Sequence, residues 1–312
     1  MLNKLRVSVI GVGKLGSIHT RIYNELENTF LTSVVDIDEE RAKEISKKYN
    51  IKYFTDYKKV EDVDAVSICV PTPLHFEVSK YFLENGVHVL VEKPICKSLK
   101  EARILNEISK ENNLVLQVGH IERYNPAVRK AFEFVKSPRY IEAHRISSYD
   151  PRVSDTDVIL DLMIHDIDII LYLVNSKIVS FDAVGTKVIS GNTDIACCYM
   201  RFENGCYVNI MTSRLSMKKL RKIRIFQDDS YISLNYARPS LKVYMKKKEK
   251  IESLKDIKIV KVKLEKREPL KDEISDFVDA CIKRRKPSVS GEEAATSLEV
   301  ALKIIDKIEG RI

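Results

Sequence analysis

The 312-residue sequence has no run of about 18 uncharged apolar residues, so no membrane-spanning helix is expected. No basic segment backed by a long apolar core opens the chain over Met1 to Arg6, so no secretory leader is expected and the cytoplasm is the expected compartment. Cysteine is sparse, six in all, and no two form a C-x-x-C pair. That speaks against a zinc site or a disulfide framework and leaves the cysteines as small buried apolar residues, with no metal expected. Acidic residues fall short of basic ones, 45 against 53, for a net charge of +8. The excess gathers at Arg214 to Arg224 and at Lys246 to Lys250, in segments that alternate like strands with solvated faces. No nucleic-acid recognition motif accompanies it, so no nucleic acid is expected as a partner; an anionic small substrate or cofactor uses the charge more economically. Internal repeats are absent. A 44% apolar content rules out a disordered or fibrous chain, and the length predicts two domains.

Glycine is scarce as well, ten in all, yet three fall at Gly11, Gly13 and Gly16. The stretch reads V-S-V-I-G-V-G-K-L-G-S-I-H, an apolar strand, a tight turn and the start of a helix. Gly11 permits a sharp turn, Gly13 lets the backbone approach a pyrophosphate, and Gly16 lets helix and strand pack closely. The helix start offers free N–H groups and a positive dipole end to phosphates. A second apolar strand, Phe30 to Val35, ends at Asp36, placed to accept hydrogen bonds from an adenosine ribose.

Strands and helices then alternate to residue 120. Strands are predicted at Ile51 to Phe54, Ala65 to Val70, Val87 to Val91 and Leu114 to Val118. Helices are predicted at Asp38 to Tyr49, Leu74 to Asn85 and Ser98 to Glu111. Continuously apolar strands between amphipathic helices predict a parallel sheet covered on both sides, with ligands at the carboxyl ends of its strands. The expected cofactor-binding residues gather there: Gly11, Val12, Gly13, Lys14, Leu15, Gly16, Asp36, Ile37, Val70, Pro71, Thr72, His75, Glu92, Lys93 and Gln117. After Gly119 the pattern changes to many strand-like runs, with an Asn204-Gly205 hairpin turn and one apolar helix at Leu162 to Leu173. Two helices close the chain. The expected division is residues 1–120, a dinucleotide-binding domain, and 121–312, an α/β domain with an open, mainly antiparallel sheet. Ala196, Cys198, Met200 and Phe202 fall on one face of their strand and Ile195, Cys197 and Tyr199 on the other. With apolar groups on both faces, a homodimer or homotetramer is expected.

Three further groups carry candidate chemistry. Lys93, in Glu92-Lys93-Pro94, follows an apolar strand, where an ammonium can stabilise an alkoxide. Asp161 and His165 are four apart in an apolar helix, so a carboxylate can fix the tautomer of a general base. With Asp166 and Asp168 they make four polar or charged groups in one apolar run, expensive unless they face a site or find partners. At the junction Gln117 to Pro126, Arg123, Tyr124 and Asn125 are candidate substrate contacts. Tyr149, Arg152 and Arg214 join them, the arginines as a phosphate clamp.

In this order Gly11, Gly13, Gly16 with His19, then Asp36, Val70-Pro71-Thr72-Pro73 with His75, Glu92-Lys93-Pro94, and Asp161 with His165 make the chain similar to the Gfo/Idh/MocA family of nicotinamide-dependent oxidoreductases over nearly its whole length. The resemblance implies a Rossmann domain followed by an α/β domain on an open sheet, NAD as cofactor, and Lys93, Asp161 and His165 as the catalytic set. It also implies a cis bond before Pro94. Within the family, G-H-I-E-R-Y-N-P-A and D-P-R-V-S-D-T-D-V-I-L-D-L-M-I-H-D-I-D resemble the branch that oxidises the 3-hydroxyl of UDP-N-acetylglucosamine to a ketone. The chain has no tryptophan, so Tyr124 or Tyr149 is the aromatic residue expected near a sugar. The expected activity is NAD-dependent oxidation of a sugar hydroxyl, with another dehydrogenase or reductase of the family, on inositol or a free sugar, or a non-catalytic NAD-binding regulator, as the alternatives.

Overall fold

Residues 4–150 and 156–312 are described in a computed structural model of the chain, and they divide into two units. The first unit is Met1–Ile121 with Glu268–Leu298, the second Glu122–Arg267 with Glu299–Ile312.

The first unit is built on six strands: β1 (Leu5–Ile10), β2 (Thr29–Val35), β3 (Lys52–Phe54), β4 (Ala65–Ile68), β5 (His88–Glu92) and β6 (Leu116–Gly119). All are parallel, in the order β3-β2-β1-β4-β5-β6. Val7, Val9, Val66, Val89, Val91 and Val118 are fully buried, which is why these strands read as unbroken apolar runs. Helices α1 (Lys14–Glu25), α2 (Glu39–Tyr49), α3 (His75–Glu84) and α4 (Leu99–Glu111) connect them. Their ends follow local chemistry. The Asp38 side chain accepts from the Arg41 N–H to start α2, and Ser98 with Glu101 closes a capping box on α4. Strand order reverses between β1 and β4, so the loops that leave them flank the crevice where such sheets bind ligands.

The expected boundary at residue 120 lies beside the observed passage from Ile121 to Glu122, but the assignment of all of 121–312 to the second domain requires correction. Helices α7 (Pro269–Lys283) and the first part of α8 (Gly291–Ile308) belong to the first unit. Ile274, Phe277 and Val278 share a core with Val7, Val9, Ile22 and Val34. Val118 N–H donates to the Val289 carbonyl, and Gln117 bridges Ser290 in antiparallel fashion. An amphipathic stripe says that a helix will be covered; it does not say which sheet covers it.

The second unit holds β7 (Tyr140–Ile146), β8 (Ile178–Thr186), β9 (Ile195–Phe202), β10 (Tyr207–Ser213), β11 (Leu220–Phe226), β12 (Ser230–Asn235), β13 (Ser240–Lys246) and β14 (Ile257–Val262). Their order is β14-β13-β12-β11-β7-β10-β9-β8, antiparallel except where β10 runs parallel to β7. Ala196, Cys198, Met200 and Phe202 are buried on one face of β9, with Tyr199 exposed on the other. The inner face packs with residues of α5 (Pro126–Phe132), α6 (Ile164–Val174) and the end of α8 in one apolar core. All six cysteines are free. Burial pushes the Cys96 and Cys198 thiols up to about 12, as befits apolar filler. No helix among the described residues is long and apolar enough to cross a membrane.

Glu273 of α7 breaks the apolar pattern. It is fully buried, and neither carboxyl oxygen has a hydrogen-bond partner among the described residues. Burial, with the charge of Glu92 adding to it, pushes this carboxyl well above the usual range. The folded chain therefore holds that proton more tightly than the unfolded chain, and the contribution is lost as pH rises past the ordinary glutamate value. Glu273→Gln keeps the shape and removes the titration. It is expected to raise stability by about 1–2 kcal/mol at pH 8 and by less at pH 5. Calorimetric Tm values at the two pH values check this; an equal shift at both would contradict it.

Candidate functional site

In the turn after β1 each glycine has a separate steric reason. Gly11 has φ +84°, a left-handed conformation that side chains resist. A Cβ on Gly16 would fall 1.8 Å from the Gly11 carbonyl oxygen, so α1 lies against the turn only because position 16 has no side chain. A Cβ on Gly13 would meet nothing within 4 Å, leaving open space over the backbone. No side chain caps α1 and no acidic residue stands in its first turn, which leaves the positive end of its dipole suited to an anion. Lys14 and Leu15 are exposed on that turn and Val12 is buried beneath it. Asp36 closes the turn from β2, its Oδ2 accepting from the Val12 N–H at 2.9 Å. Ile37, 90% exposed, stands beside it as an apolar ledge. This set fits a dinucleotide: free N–H groups for pyrophosphate, a glycine cradle and a carboxylate for ribose.

The other strand ends of this unit divide into exposed and engaged groups. Val70, Pro71 and Thr72 leave β4 at the carboxyl edge and are partly or fully exposed. His75, expected among the cofactor contacts, is instead buried in the wall, its Nδ1 2.8 Å from the Pro94 carbonyl and its Nε2 2.9 Å from that of Val70. Burial pushes its imidazole below the ordinary value. It ties the loop after β4 to the turn that carries Lys93. Gln117, expected to meet the nicotinamide, is fully buried, and its Nε2 donates to the Glu273 carbonyl. Both corrections have the same origin: a strand end places the backbone at the crevice, while packing decides whether a side chain turns in or out. Glu92 ends β5 with Oε1 3.2 Å from His19 Nε2, and His19 Nδ1 continues to Ser67 and Tyr23. Gly119 leaves room for this carboxylate, since a Cβ there would lie 2.8 Å from Glu92 Oε2. A His19 ring nitrogen, Cys69 Sγ and a Glu92 oxygen lie within 4.8 Å of one another. Burial pushes the Cys69 thiol well up. Lys93 is half-buried, and the Lys93–Pro94 bond is cis, as the resemblance implies.

In the second unit the apolar helix resolves its own charges. Ile159–Met163, carrying Asp161, is a turn of π-helix, and α6 continues it with His165 in the first turn. Periodicity did not predict this wide turn, a form that recurs at functional sites. Asp166 and Asp168 are fully buried and ion-paired. Asp166 accepts from Arg145 Nε at 2.8 Å and from the Tyr236 hydroxyl; Asp168 accepts from Arg123 Nε at 2.7 Å. Burial pulls the Arg145 guanidinium down, but the carboxylates of Asp166 and Glu122 outweigh it and hold it cationic. Asp161 and His165, by contrast, keep partial exposure on the same helical run. Arg145 escaped the sequence reading, although its inward parity with Ile141 and Ala143 in an alternating strand was the signal that a buried acid awaited it.

Four expected substrate contacts are engaged inside the unit and are corrected accordingly. Arg123 pairs with Asp168 and lies over the Tyr172 ring, 4.0 Å from its centroid. Tyr124 is 1% exposed. Asn125 caps α5, accepting from the Ala127 N–H and donating to the Tyr236 carbonyl. Arg214 is buried, with Nε donating to Asp194 Oδ1 at 2.8 Å and Nη1 to the Thr156 carbonyl. The cause is common to all: a side chain able to bind substrate is equally able to satisfy a buried neighbour. Tyr149 is half-buried, and Arg152 lies outside the described residues.

Comparison with known proteins agrees with this geometry. A family model for the GFO/IDH/MocA oxidoreductases, NAD-binding Rossmann fold, matches residues 5–120, and the GFO/IDH/MocA C-terminal domain model matches 132–233. The chain is 35% identical to the UDP-N-acetylglucosamine 3-dehydrogenase of Acidithiobacillus ferrooxidans over 98% of its own length and 97% of that protein. A solved structure of that enzyme superposes with TM-score 0.92, covering 98% of each chain. The myo-inositol 2-dehydrogenase of Thermotoga maritima is 26% identical over 94% of this chain and 93% of the relative. A levoglucosan dehydrogenase solved with NADH shares the fold, with TM-score 0.86 at 18% identity, covering 99% of this chain and 98% of that one.

Asp194 is a heavily used carboxylate among the described residues of the second unit. It accepts from the Val188, Ile189 and Ser190 N–H groups, the Ser190 hydroxyl and Arg214. Burial alone would raise its carboxyl, but the Ser190 hydroxyl and the three N–H donors hold it well below the usual range. Its contribution is present above the ordinary aspartate value and lost as pH falls through the folded one. Asp194→Asn, which leaves the Arg214 charge buried and unmatched, is expected to cost about 3 kcal/mol at pH 7 and less at pH 3. Urea unfolding at the two pH values measures it; a loss below about 1 kcal/mol at pH 7 would show the pair to be unimportant.

Proposed function

The chain belongs to the Gfo/Idh/MocA family of NAD-binding oxidoreductases, and we propose that within it the chain oxidises the 3-hydroxyl of UDP-N-acetylglucosamine to a ketone. One observation carries this assignment: the 35% identity with a protein named for that reaction runs through 98% of the chain, both units included. When bound, the nicotinamide supplies the hydride acceptor. The chain supplies the rest. His165 takes the proton from the sugar hydroxyl, Asp161 fixes the imidazole tautomer, and the Lys93 ammonium stabilises the oxyanion that forms. Asp166 and Asp168 are fully buried against arginines, whereas Asp161 is partly exposed one helical turn before His165, which supports it in this role. With Arg123, Tyr124, Asn125 and Arg214 engaged elsewhere, Tyr149 and Arg152 are the expected contacts to the nucleotide sugar. NAD is the preferred cofactor, because the Asp36 charge repels a 2′-phosphate.

The proposal includes a homodimer or homotetramer formed through the outer face of the second sheet. Tyr207, Tyr140, Phe226, Tyr231, Tyr244 and Ile259 face one another in register across six strands. Their rings are close, with Phe226 and Tyr231 stacked at 4.9 Å and Tyr231 and Tyr244 at 5.1 Å. A row of this kind left to water is costly, and a second copy of the same row covers it by two-fold symmetry.

His165→Asn is expected to lower kcat and kcat/KM together by roughly 100-fold or more, with NAD binding within about threefold. Lys93→Ala is expected to follow it. Asp161→Asn is expected to slow turnover with less effect on binding, through the wrong tautomer. Arg152→Ala is expected to raise KM for the UDP-sugar with little change in kcat. NADH formation with UDP-N-acetylglucosamine, and trapping of the 3-keto product, read all of these. Near wild-type turnover of the His165 variant would remove the mechanism; activity on inositol or a free sugar with none on UDP-sugars would remove the substrate. Separately, Tyr231→Asp combined with Phe226→Lys is expected to halve the mass seen by light scattering at micromolar concentration. A monomeric wild type would refute the assembly.

A further inference from the structure

Asp36, the carboxylate that meets an adenosine ribose, is not open. It is 7% exposed. Its Oδ2 accepts from the Val12 N–H at 2.9 Å and its Oδ1 from the Asp38 N–H at 3.0 Å. The remaining acceptor capacity is faced by Arg41, whose Nη1 lies 3.1 Å from Oδ1 and 3.2 Å from Oδ2. Arg41 Nη2 also reaches Asp38 at 3.0 Å. A ribose diol therefore competes with the guanidinium for the same oxygens. The competitor is easily moved, since Arg41 stands on the first turn of α2 with its side chain 46% exposed, and an ion pair open to water on one side is weak.

We infer that Arg41 is a specificity-determining residue of the dinucleotide site. The ribose of NAD displaces it from Asp36; a 2′-phosphate draws it across. Asp36 alone would repel that phosphate, and Asp38, Glu39 and Glu40 add negative charge around it. Lys43, the next cation along α2, is held by Glu39 at 3.2 Å and Glu40 at 3.1 Å. Arg41 is thus the group on this turn that reaches the Asp36 oxygens and matches a phosphate with a planar fork of donors. The chain prefers NAD yet retains NADP binding through this one side chain.

The inference rests on the dinucleotide reading and not on the identity of the sugar. Its test is calorimetric titration of the full chain with NAD⁺ and NADP⁺, in the wild type and in Arg41→Ala, with Arg41→Gln reading the same ratio should the alanine variant fold poorly. The ratio of the NADP⁺ Kd to the NAD⁺ Kd is expected to rise about tenfold when the guanidinium is removed. Titration with 2′,5′-ADP against 5′-ADP is expected to repeat that rise and so place it at the 2′-phosphate. A change in the ratio of less than fivefold overturns the inference, as does an equal loss of both cofactors. A wild type that binds no NAD⁺ overturns the dinucleotide reading and this inference with it. A wild type that binds NAD⁺ with an unmoved ratio overturns the inference alone.

Discussion

A charge removed from water must be met by another, and that requirement arranges the second unit. Arg145 and Arg214 are among its largest fully buried side chains. Arg145 holds Asp166 and Glu122; Arg123 holds Asp168; Arg214 holds Asp194. These pairs join elements distant in sequence: α6 to β7, α6 to the turn before α5, and the end of β10 to the segment before β9. Charge pairing thus acts as positional information. It gives α6 one rotation, the one that buries Asp166 and Asp168, and that rotation leaves Asp161 and His165 partly exposed on the same run.

The first unit depends on a steric constraint of comparable strictness. The 1.8 Å approach of a Gly16 Cβ to the Gly11 carbonyl means that the turn, the helix start and β4 form one packed element. Cys69 lies under it, and His75 binds the loop beyond β4 to the turn of Lys93. The residues expected to touch a cofactor therefore sort into two kinds. Gly13 and Ile37 keep open or exposed positions and Lys93 is half-buried, whereas His75 and Gln117 hold the walls in place.

Much of this was legible in the residues. The alternation of apolar strands and amphipathic helices up to Gly119 translates directly into a six-stranded parallel sheet, because each strand is buried on both faces. The glycine pattern was legible because side chains rarely adopt the φ of +84° at Gly11 and a Cβ cannot fit the contact at Gly16. The β9 alternation was legible because side chains on a strand point to opposite faces in turn. Less legible were the roles of polar residues at the junction. Arg123 and Asn125 look like ligand-binding groups in sequence, since a guanidinium and an amide carry the same donors whether they meet a substrate or a buried acid.

By itself the sequence determined the local elements, the strand–turn–helix of the dinucleotide site and the family, because these rest on spacing and on residue types that short-range sterics demand. Only the tertiary structure decided that Glu268–Leu298 return to the first unit, that Asp166, Asp168 and Asp194 are matched by arginines, and that Arg41 covers Asp36. The physical reason is the range of the interactions. Backbone geometry and periodicity are written within a few residues, whereas the partner of a buried charge or of an apolar helix face is selected by what the fold brings beside it.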